Sequence, residues 1–229
     1  METERSFPNT HGALANLLTS TGTHQPLIET IVRGVERYRI PGSMDWAATQ
    51  RSLDSGDGQW KLSAVLVAIV AQSEPSVLLT TRSSGLREYS SQVSFPGGRP
   101  MDEDGNVGTT ALREAFEEIC LAPGAVQVVG CLPIHKTRKR NHAIVPVIGL
   151  IPETAGWEAA PAEVEEVFEF PLSTLLKPEL AKQYVDGERA GSWYWAEQRY
   201  DIWGVTAVIL KSLSGLVHGQ DISDNLSRR

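Results

Sequence analysis

The chain contains Phe95-Pro96-Gly97-Gly98, followed by Asp104 and then by Arg113-Glu114-Ala115-Phe116-Glu117-Glu118. The glycine pair predicts a turn, and the apolar spacing between residues 107 and 119 predicts a helix. Because a helix advances by about 100° per residue, Glu114, Glu117 and Glu118 point the same way. The stretch therefore predicts a turn followed by a helix with an acidic face.

Such an acidic face has two interpretations. Like charges three or four residues apart cost a few tenths of a kcal/mol per pair, and an acidic helix face is most often simply solvated. A bound divalent cation would reverse that sign, because hard oxygen ligands are what Mg²⁺ takes. The glycine turn favours the second interpretation, since a backbone without Cβ atoms can approach a phosphate closely.

The same residues resemble the signature of the Nudix hydrolases, G-x5-E-x7-R-E-U-x-E-E-x-G-U, in which U is aliphatic. The core from Arg113 to Glu118 is intact. Asp104 stands at the first acidic position, the gap from there to Arg113 is one residue longer than in the pattern, and Cys120 replaces a glycine. The aspartate and the longer gap resemble the branch of the family that cleaves coenzyme A.

A second motif supports this branch. Residues 78–98 resemble the coenzyme A signature L-L-T-x-R-[SA]-x3-R-x3-G-x-V-x-F-P-G-G, with Ser91 in place of its middle glycine. The segments 163–172 and 202–206, the latter reading Ile-Trp-Gly-Val-Thr, are also similar to that branch. The resemblance covers roughly residues 62–217.

The resemblance implies a diphosphatase that depends on Mg²⁺ or Mn²⁺ and cleaves coenzyme A or its acyl derivatives to 3′,5′-ADP and (acyl-)phosphopantetheine. It makes Glu114, Glu117 and Glu118 the metal ligands, and Arg113 the brace of a metal-binding glutamate. The alternative for Arg113 is an ordinary surface ion pair with Glu117. The candidate general bases are Glu163, Glu165 and Glu166, although a metal-bound hydroxide could act without them. The candidate substrate-binding residues are Arg82, Arg87, Gly97, Gly98, Lys136, Arg138 and Arg140, of which the last three could reach the 3′-phosphate.

Two rival functions stay open on the sequence. The same chemistry could act on ADP-ribose, NADH or a damaged nucleotide, because the pocket residues decide between substrates. The chain could also be a catalytically silent nucleotide-binding module, although the intact glutamates favour an enzyme.

Composition and charge restrict the partners. The chain has 229 residues and a formal charge of −7, which argues against a nucleic-acid binder. The partner that the resemblance implies is a small-molecule nucleotide of the coenzyme A class. The sequence contains no run of eighteen apolar residues, so we expect no membrane span. We expect a cytoplasmic protein, because residues 1–5 lack a signal core and Cys120 and Cys131 are too few for a disulfide framework. The sequence leaves a homo-oligomer open.

The pattern along the chain predicts an N-terminal extension (1–60) with one helix at 24–38, a main domain (61–220) and a polar tail (221–229). Strands are predicted at 62–71, 77–81, 126–134, 143–151, 164–170 and 192–196, and helices at 107–119, from 172, and at 201–217. We expect a loop at 51–59 and place His135 and His142 in a basic loop. Mixed strands and helices predict an α/β/α sandwich around a mixed sheet, as the family resemblance also implies.

Overall fold

The computed structural model describes residues 26–53, 60–85, 91–137, 141–196 and 198–222. Its α-helices are α1 (Pro26–Tyr38), α2 (Trp46–Leu53), α3 (Val107–Ile119) and α4 (Gly204–Val217). Its strands are β1 (Lys61–Ala71), β2 (Ser76–Arg82), β3 (Val93–Ser94), β4 (Gly97–Gly98), β5 (Gln127–Cys131), β6 (His135–Thr137), β7 (His142–Pro152), β8 (Val164–Pro171), β9 (Ala181–Gln183) and β10 (Trp193–Trp195). Short 3₁₀ turns lie at Pro123–Ala125, Leu172–Leu176 and Pro178–Leu180. Within these ranges, no helix is long and apolar enough to cross a bilayer.

The main sheet is mixed, as the sequence predicts. β1 and β7 run parallel from the pair Lys61–His142 to the pair Ala71–Pro152. The other ladders are antiparallel: β2 pairs with β1, β3 and β8, and β7 also pairs with β5 and β6. The predicted turn at the glycine pair is only partly right: the chain bends at Pro96, but Gly97 and Gly98 form the two-residue strand β4, which pairs with β1. This pairing places the segment 95–98, called the glycine turn below, beside the middle of the sheet. β9 and β10 form a separate antiparallel pair.

Successive residues of β1 enter two different hydrophobic cores. Leu66, Ala68 and Val70 pack in the core beneath α3, whereas Val67 and Ile69 pack in the core that contains α1 and α4. This alternation follows from the period of two in a strand. Since helices cover both faces of the sheet, the predicted α/β/α sandwich is confirmed.

The N-terminal helix α1 contributes to the core of the main sheet. It begins at Pro26, a residue suited to the first helical position, and the predicted residues 24 and 25 lie outside the described ranges. Ile28 and Ile31 are fully buried in the core shared with α4. Ile222, at the start of the predicted polar tail, is buried in the same core.

Removing one of these contacts tests the role of α1. We expect Ile31→Ala to lower the free energy of unfolding by about 2–5 kcal/mol, because it leaves a cavity in a packed core. Arg33→Ala is the matched control on the same helix, since its side chain is 79% exposed and contacts Glu29 at 3.4 Å. That control should cost less than about 1 kcal/mol. Equal, small losses in urea denaturation of both variants would show that α1 does not stabilise the domain.

The expectation of a loop from residue 51 is wrong for its first three positions. The short helix α2 continues through Leu53, and residues 54–59 lie outside the described ranges. Asp45 accepts a hydrogen bond from the backbone N–H of Ala48, which caps the helix start. Leu53 is buried against Trp60 and Ala143, and this contact with distant residues is what the local sequence did not reveal.

His135 and His142 are in strands, so their assignment to a loop is also wrong. His135 opens β6 and His142 opens β7, and the two strands pair antiparallel. Burial lowers the pKa of His135 to about 4, and the neighbouring His142 contributes to the shift. The hydrogen-bonded pairing of β6 with β7 therefore continues to Thr137 and His142, into the segment whose polar residues suggest a loop.

Candidate active site

Helix α3 has the predicted bounds and carries the candidate acidic residues. Asn106 caps its start by accepting a hydrogen bond from the N–H of Thr109 at 2.9 Å. Its buried stripe is Val107, Ala111, Ala115 and Ile119. The apolar spacing of the sequence also predicts Phe116 in this stripe, but Phe116 is 54% exposed, so that prediction is wrong. The helix is rotated so that Glu118 faces inward, and Phe116 lies about 200° away around the axis.

The glycine turn touches α3 directly. The backbone N–H of Gly97 donates a hydrogen bond to Oε2 of Glu118 at 3.1 Å. A Cβ on Gly98 would overlap the carboxylate of Glu114, and a Cβ on Gly97 would overlap the carbonyl oxygen of Ala64 in β1. Both positions therefore need glycine for the close approach of the turn to the helix and to the sheet.

Glu118 is buried, not solvent-facing as the sequence suggested. Its residue is 2% exposed, and its Oε1 accepts a hydrogen bond from Nη1 of Arg82 at 3.2 Å. Burial raises the pKa of Glu118 to about 7, against the opposing effects of the Gly97 N–H and Arg82. Glu114 and Glu163 raise it further by like-charge repulsion. The simple solvated-face interpretation does not hold for this carboxylate.

Arg113 joins three acidic side chains. It donates to Glu117 at 2.8 Å through Nη1, and to Glu114 and Asp104 at 2.9 Å each through Nη2. Its Nη2 also donates to the carbonyl oxygen of Arg99 at 2.9 Å. An isolated surface pair would involve Glu117 alone, so Arg113 has the contacts that bracing requires.

Asp104 holds Arg113 in place. It is 7% exposed and accepts hydrogen bonds from Arg113, from the N–H of Met101 at 2.9 Å and from the hydroxyl of Thr110 at 3.0 Å. Burial would raise the pKa of Asp104, but these hydrogen bonds outweigh burial and keep the pKa below its usual value. Asp104 therefore remains ionised and fixes the guanidinium beside the glutamates.

The three candidate bases differ in their surroundings. Glu163 directly precedes β8. Burial is the main cause of the raised pKa of Glu114 and of Glu118, and the negative charge of Glu163 raises both pKa values further. Glu166 instead accepts a hydrogen bond from the hydroxyl of Tyr200 at 2.8 Å. Glu165 is exposed on β8. Glu163 is thus the candidate with a described electrostatic link to the acidic cluster.

The structure describes two of the five candidate cations, Arg82 and Lys136. Arg82 lies in the site, and its buried Nε has no hydrogen-bond partner among the described residues. Lys136 lies with its Nζ 5.7 Å from the ring centroid of Trp60. Arg87, Arg138 and Arg140 lie outside the described residues. The Nε of Arg82 is closed to solvent, but the Arg82 side chain as a whole is 23% exposed, so an anionic ligand could reach its exposed part.

A large cavity adjoins the glycine turn. Its volume is about 980 Å³, and its lining includes Arg82, Gly97 and Gly98. Arg189 and Trp203 also line it. The sequence assigned no role to Arg189, which lies between β9 and β10 in a segment without a recognisable motif. This volume is in the range of small-molecule sites in proteins.

Two positions where the family patterns have glycine take left-handed backbone conformations. Ser91 has a φ of 58°, and Cys120, which ends α3, has a φ of 52°. A side chain in this region costs roughly 1–2 kcal/mol. The motifs therefore mark positions that need positive φ, and this chain meets that need without glycine.

The donor set suits a divalent cation, although no metal cluster is preformed. In the part of the chain that the structure describes, no three carboxylate, imidazole or thiol groups are arranged to hold an ion. Arg113 binds Glu114 and Glu117, while Arg82 and Gly97 bind Glu118. Mg²⁺ usually keeps several waters and takes only one or two carboxylates, so these glutamates fit it without a cage of three.

The raised pKa of Glu118 predicts how stability depends on pH without metal. The folded protein binds the proton more tightly than the unfolded chain, since the pKa rises from 4.5 to about 7. The contribution of Glu118 to stability should therefore fall as the pH rises from about 4.5 to 7, by on the order of 3 kcal/mol, whereas buried His135, with its pKa lowered to about 4, contributes in the opposite direction between about pH 4 and 6.5. The measurement is the thermal midpoint in EDTA from pH 5 to 8. Because Glu118→Gln removes only the Glu118 contribution, the thermal midpoint of the variant should rise more with pH than that of wild type, and the same slope in both proteins would contradict the assignment.

Comparisons with known proteins agree with this fold. A family model described as the NUDIX domain matches residues 60–188. A relative from Shigella boydii serotype 4, named Uncharacterized Nudix hydrolase NudL, is 41% identical over 66% of this chain and 80% of its own length. The protein of the same name from Escherichia coli O157:H7 is 40% identical over the same shares.

Solved structures with a partly similar backbone were also found. The NUDIX domain of Shewanella oneidensis NrtR, crystallised with ADP ribose, has a TM-score of 0.42 and 19% identity, and the match covers 58% of this chain and 88% of that domain. A C. elegans Ap4A hydrolase, solved as a binary complex, has a TM-score of 0.44 and 12% identity, with 69% of this chain and 95% of that chain covered.

The class of protein is a hydrolase that acts on pyrophosphate bonds, and hydrolases of this class generally need divalent metal ions. The chain belongs to the Nudix hydrolase family, as the family model and the NudL relatives show. Its substrates are accordingly nucleoside diphosphate derivatives.

Proposed function

We propose that this enzyme hydrolyses the diphosphate bond of coenzyme A or its acyl derivatives, with Mg²⁺ or Mn²⁺, to give 3′,5′-ADP and (acyl-)phosphopantetheine. The observation that carries the proposal is the contact between the two sequence motifs. Arg82, from the motif that resembles the coenzyme A signature, hydrogen-bonds Glu118 of the acidic helix at 3.2 Å. Both Arg82 and the glycine pair that closes the same motif line the 980 Å³ cavity.

The reaction adds water to one phosphorus and breaks its bond to the bridging oxygen, which leaves with the other phosphate. Glu114, Glu117 and Glu118 would hold the metal, which when bound would neutralise charge on the diphosphate and lower the pKa of water. Arg113 holds Glu114 and Glu117 in a fixed orientation, at 2.9 and 2.8 Å. The exposed part of Arg82, which lines the cavity, is the proposed contact for a phosphoryl oxygen.

Glu163 is the proposed base among the three candidates. Its charge acts on Glu114 and Glu118, whereas Glu166 is engaged by Tyr200. A carboxylate near the cluster could accept the proton that the attacking water loses. Glu165 stays a weaker candidate, because no contact with the acidic cluster supports it.

Recognition of the 3′-phosphate needs further cations. Lys136, Arg138 and Arg140 are proposed for this role on the charge of their segment, and Arg87 is proposed as a further substrate contact on the coenzyme A motif. If Lys136, Arg138 and Arg140 read this phosphate, the enzyme should prefer coenzyme A over dephospho-coenzyme A, which lacks that group. The average charge of the chain, −7, repels an anionic substrate, so local cations must offset it.

The test is a substrate panel with products identified by mass spectrometry. Coenzyme A, dephospho-coenzyme A, ADP-ribose and NADH are compared at equal concentration with Mg²⁺ and with Mn²⁺. We expect the highest kcat/KM for coenzyme A, with 3′,5′-ADP and phosphopantetheine as products. Faster cleavage of ADP-ribose or NADH would overturn the coenzyme A assignment, and no turnover of any compound would favour a silent binding module.

A further inference from the structure

Trp203 and Arg189 form a stacked pair in the wall of the cavity. The guanidinium carbon of Arg189 lies 4.0 Å from the ring centroid of Trp203. Trp203 is only half-buried, and both residues line the same cavity as Arg82 and the glycine turn. The stacked pair therefore offers flat surface to a ligand that also reaches the proposed diphosphate site.

The position of Trp203 is fixed by its backbone. Residue 203 forms an isolated antiparallel bridge with Tyr194, and α4 begins at the next residue, Gly204, which has a φ of 63°. The hydroxyl of Thr206 donates to the carbonyl oxygen of Val93 at 2.9 Å, which ties the start of α4 to β3. A stacking surface held in this way costs little ordering when a ligand binds.

Arg189 is suited to stacking more than to binding a phosphate. Its Nη1 donates to Asp201 at 2.7 Å and to the hydroxyl of Tyr184 at 3.3 Å. The carboxylate of Asp201 offsets the positive charge, and the two contacts orient the plane of the guanidinium. Guanidinium planes and indole rings both stack on nucleobases.

We infer that the Trp203–Arg189 pair is the subsite for the nucleobase of the substrate, an inference that rests on the proposed nucleotide function. Apolar residues of α4 and β3 line the same cavity, among them Val93, Val205 and Ile209. A flat heteroaromatic ring matches a stacked pair bordered by apolar side chains. The pantetheine arm is flexible and has no planar ring, so it does not require this surface.

The test measures binding of two probes that differ only by the adenosine group. They are α,β-methylene-ADP, which resists hydrolysis at its diphosphate, and methylenediphosphonate, which has no base. Isothermal titration calorimetry with Mg²⁺ compares wild type with Trp203→Leu. We expect at least tenfold weaker binding of α,β-methylene-ADP and less than twofold change for methylenediphosphonate, because stacking on a base is lost.

Two variants control for damage to the fold. Trp203→Phe keeps an aromatic ring and should bind α,β-methylene-ADP within about threefold of wild type. Trp193→Leu removes a tryptophan of β10 that packs against Lys211 at 4.8 Å, and binding of both probes should stay within about twofold. Retained nucleotide binding in Trp203→Leu, or an equal loss of both probes, would overturn the inference.

The outcome is separable from that of the proposed function. An enzyme that cleaves coenzyme A and whose Trp203→Leu variant binds α,β-methylene-ADP normally would retain its function and lose this subsite. A wild type that binds α,β-methylene-ADP no more tightly than methylenediphosphonate would also overturn the subsite. Selective loss in Trp203→Leu, without turnover of any substrate in the panel, would support the subsite and refute the hydrolytic proposal.

Discussion

Glu118→Gln is expected to lower kcat by more than ~100-fold while the protein remains folded. Glutamine keeps the shape and helix propensity of glutamate, but it removes the charge that the proposed metal requires. A loss of about 3 kcal/mol of transition-state stabilisation corresponds to that change in rate. The measurement is kcat at saturating Mg²⁺, beside the thermal midpoint in EDTA.

The burial of Glu118 determines the expected change in stability. Removing a desolvated charge near Glu114 and Glu163 favours the folded state. The amide NH₂ of glutamine, however, cannot accept one of the two hydrogen bonds that Gly97 and Arg82 donate to the carboxylate. The two effects oppose each other, so the net change in stability should be small.

A matched control separates the site from general effects of charge. Glu179→Gln makes the same change at an exposed residue of the turn Pro178–Leu180, far from the acidic helix in sequence, and should leave kcat within about twofold. A near-normal kcat in Glu118→Gln would return Glu118 to a purely structural role. Loss of folding in that variant would contradict the expected neutrality of the substitution and is detected by the thermal midpoint.

Much of the fold was predictable because its signals are local. The bounds of α3 follow from the apolar spacing, which ends at residue 119. The Val-rich run of β1 likewise predicts a strand buried on both faces. The family motifs identified Gly97 and Gly98, and the structure supplies the reason: the turn approaches Glu114 and Ala64 closely.

The missed features depend on contacts between distant residues. The helical pattern suggests that Phe116 is buried and Glu118 exposed, but the structure has the reverse. Gly97 and Arg82, which belong to other elements, donate hydrogen bonds to the Glu118 carboxylate and hold it inside. The end of α2 depends on Leu53 meeting Trp60 and Ala143. No spacing rule relates Arg189 to Trp203, which come together only through the antiparallel pairing of β9 and β10 and the bridge to Tyr194.

Removal of divalent cations is expected to abolish turnover, and Mg²⁺ or Mn²⁺ should restore it. The proposed ligands Glu114, Glu117 and Glu118 are carboxylates, and the arginines that pair with them, Arg113 and Arg82, cannot polarise the phosphoryl group or activate water as a divalent cation would. Full turnover in excess EDTA would refute metal dependence. A second experiment adds the same EDTA together with an excess of Mg²⁺ that is free of Zn²⁺. Turnover should then persist if EDTA acts by removing the metal, and should be lost if EDTA itself inhibits the enzyme.

Binding of the cation can be measured without turnover, through its effect on stability. A ligand that binds only the folded state raises the thermal midpoint with concentration, so Mg²⁺ should stabilise wild type and have a much smaller effect on Glu118→Gln. Since the pKa of Glu118 is raised to about 7 by burial, protons compete with the metal for this carboxylate. The stabilisation by Mg²⁺ should therefore grow as the pH rises from 6 to 8 in wild type, and Glu179→Gln should behave like wild type. A stabilisation that is independent of pH and unchanged in Glu118→Gln would place the cation elsewhere on the protein.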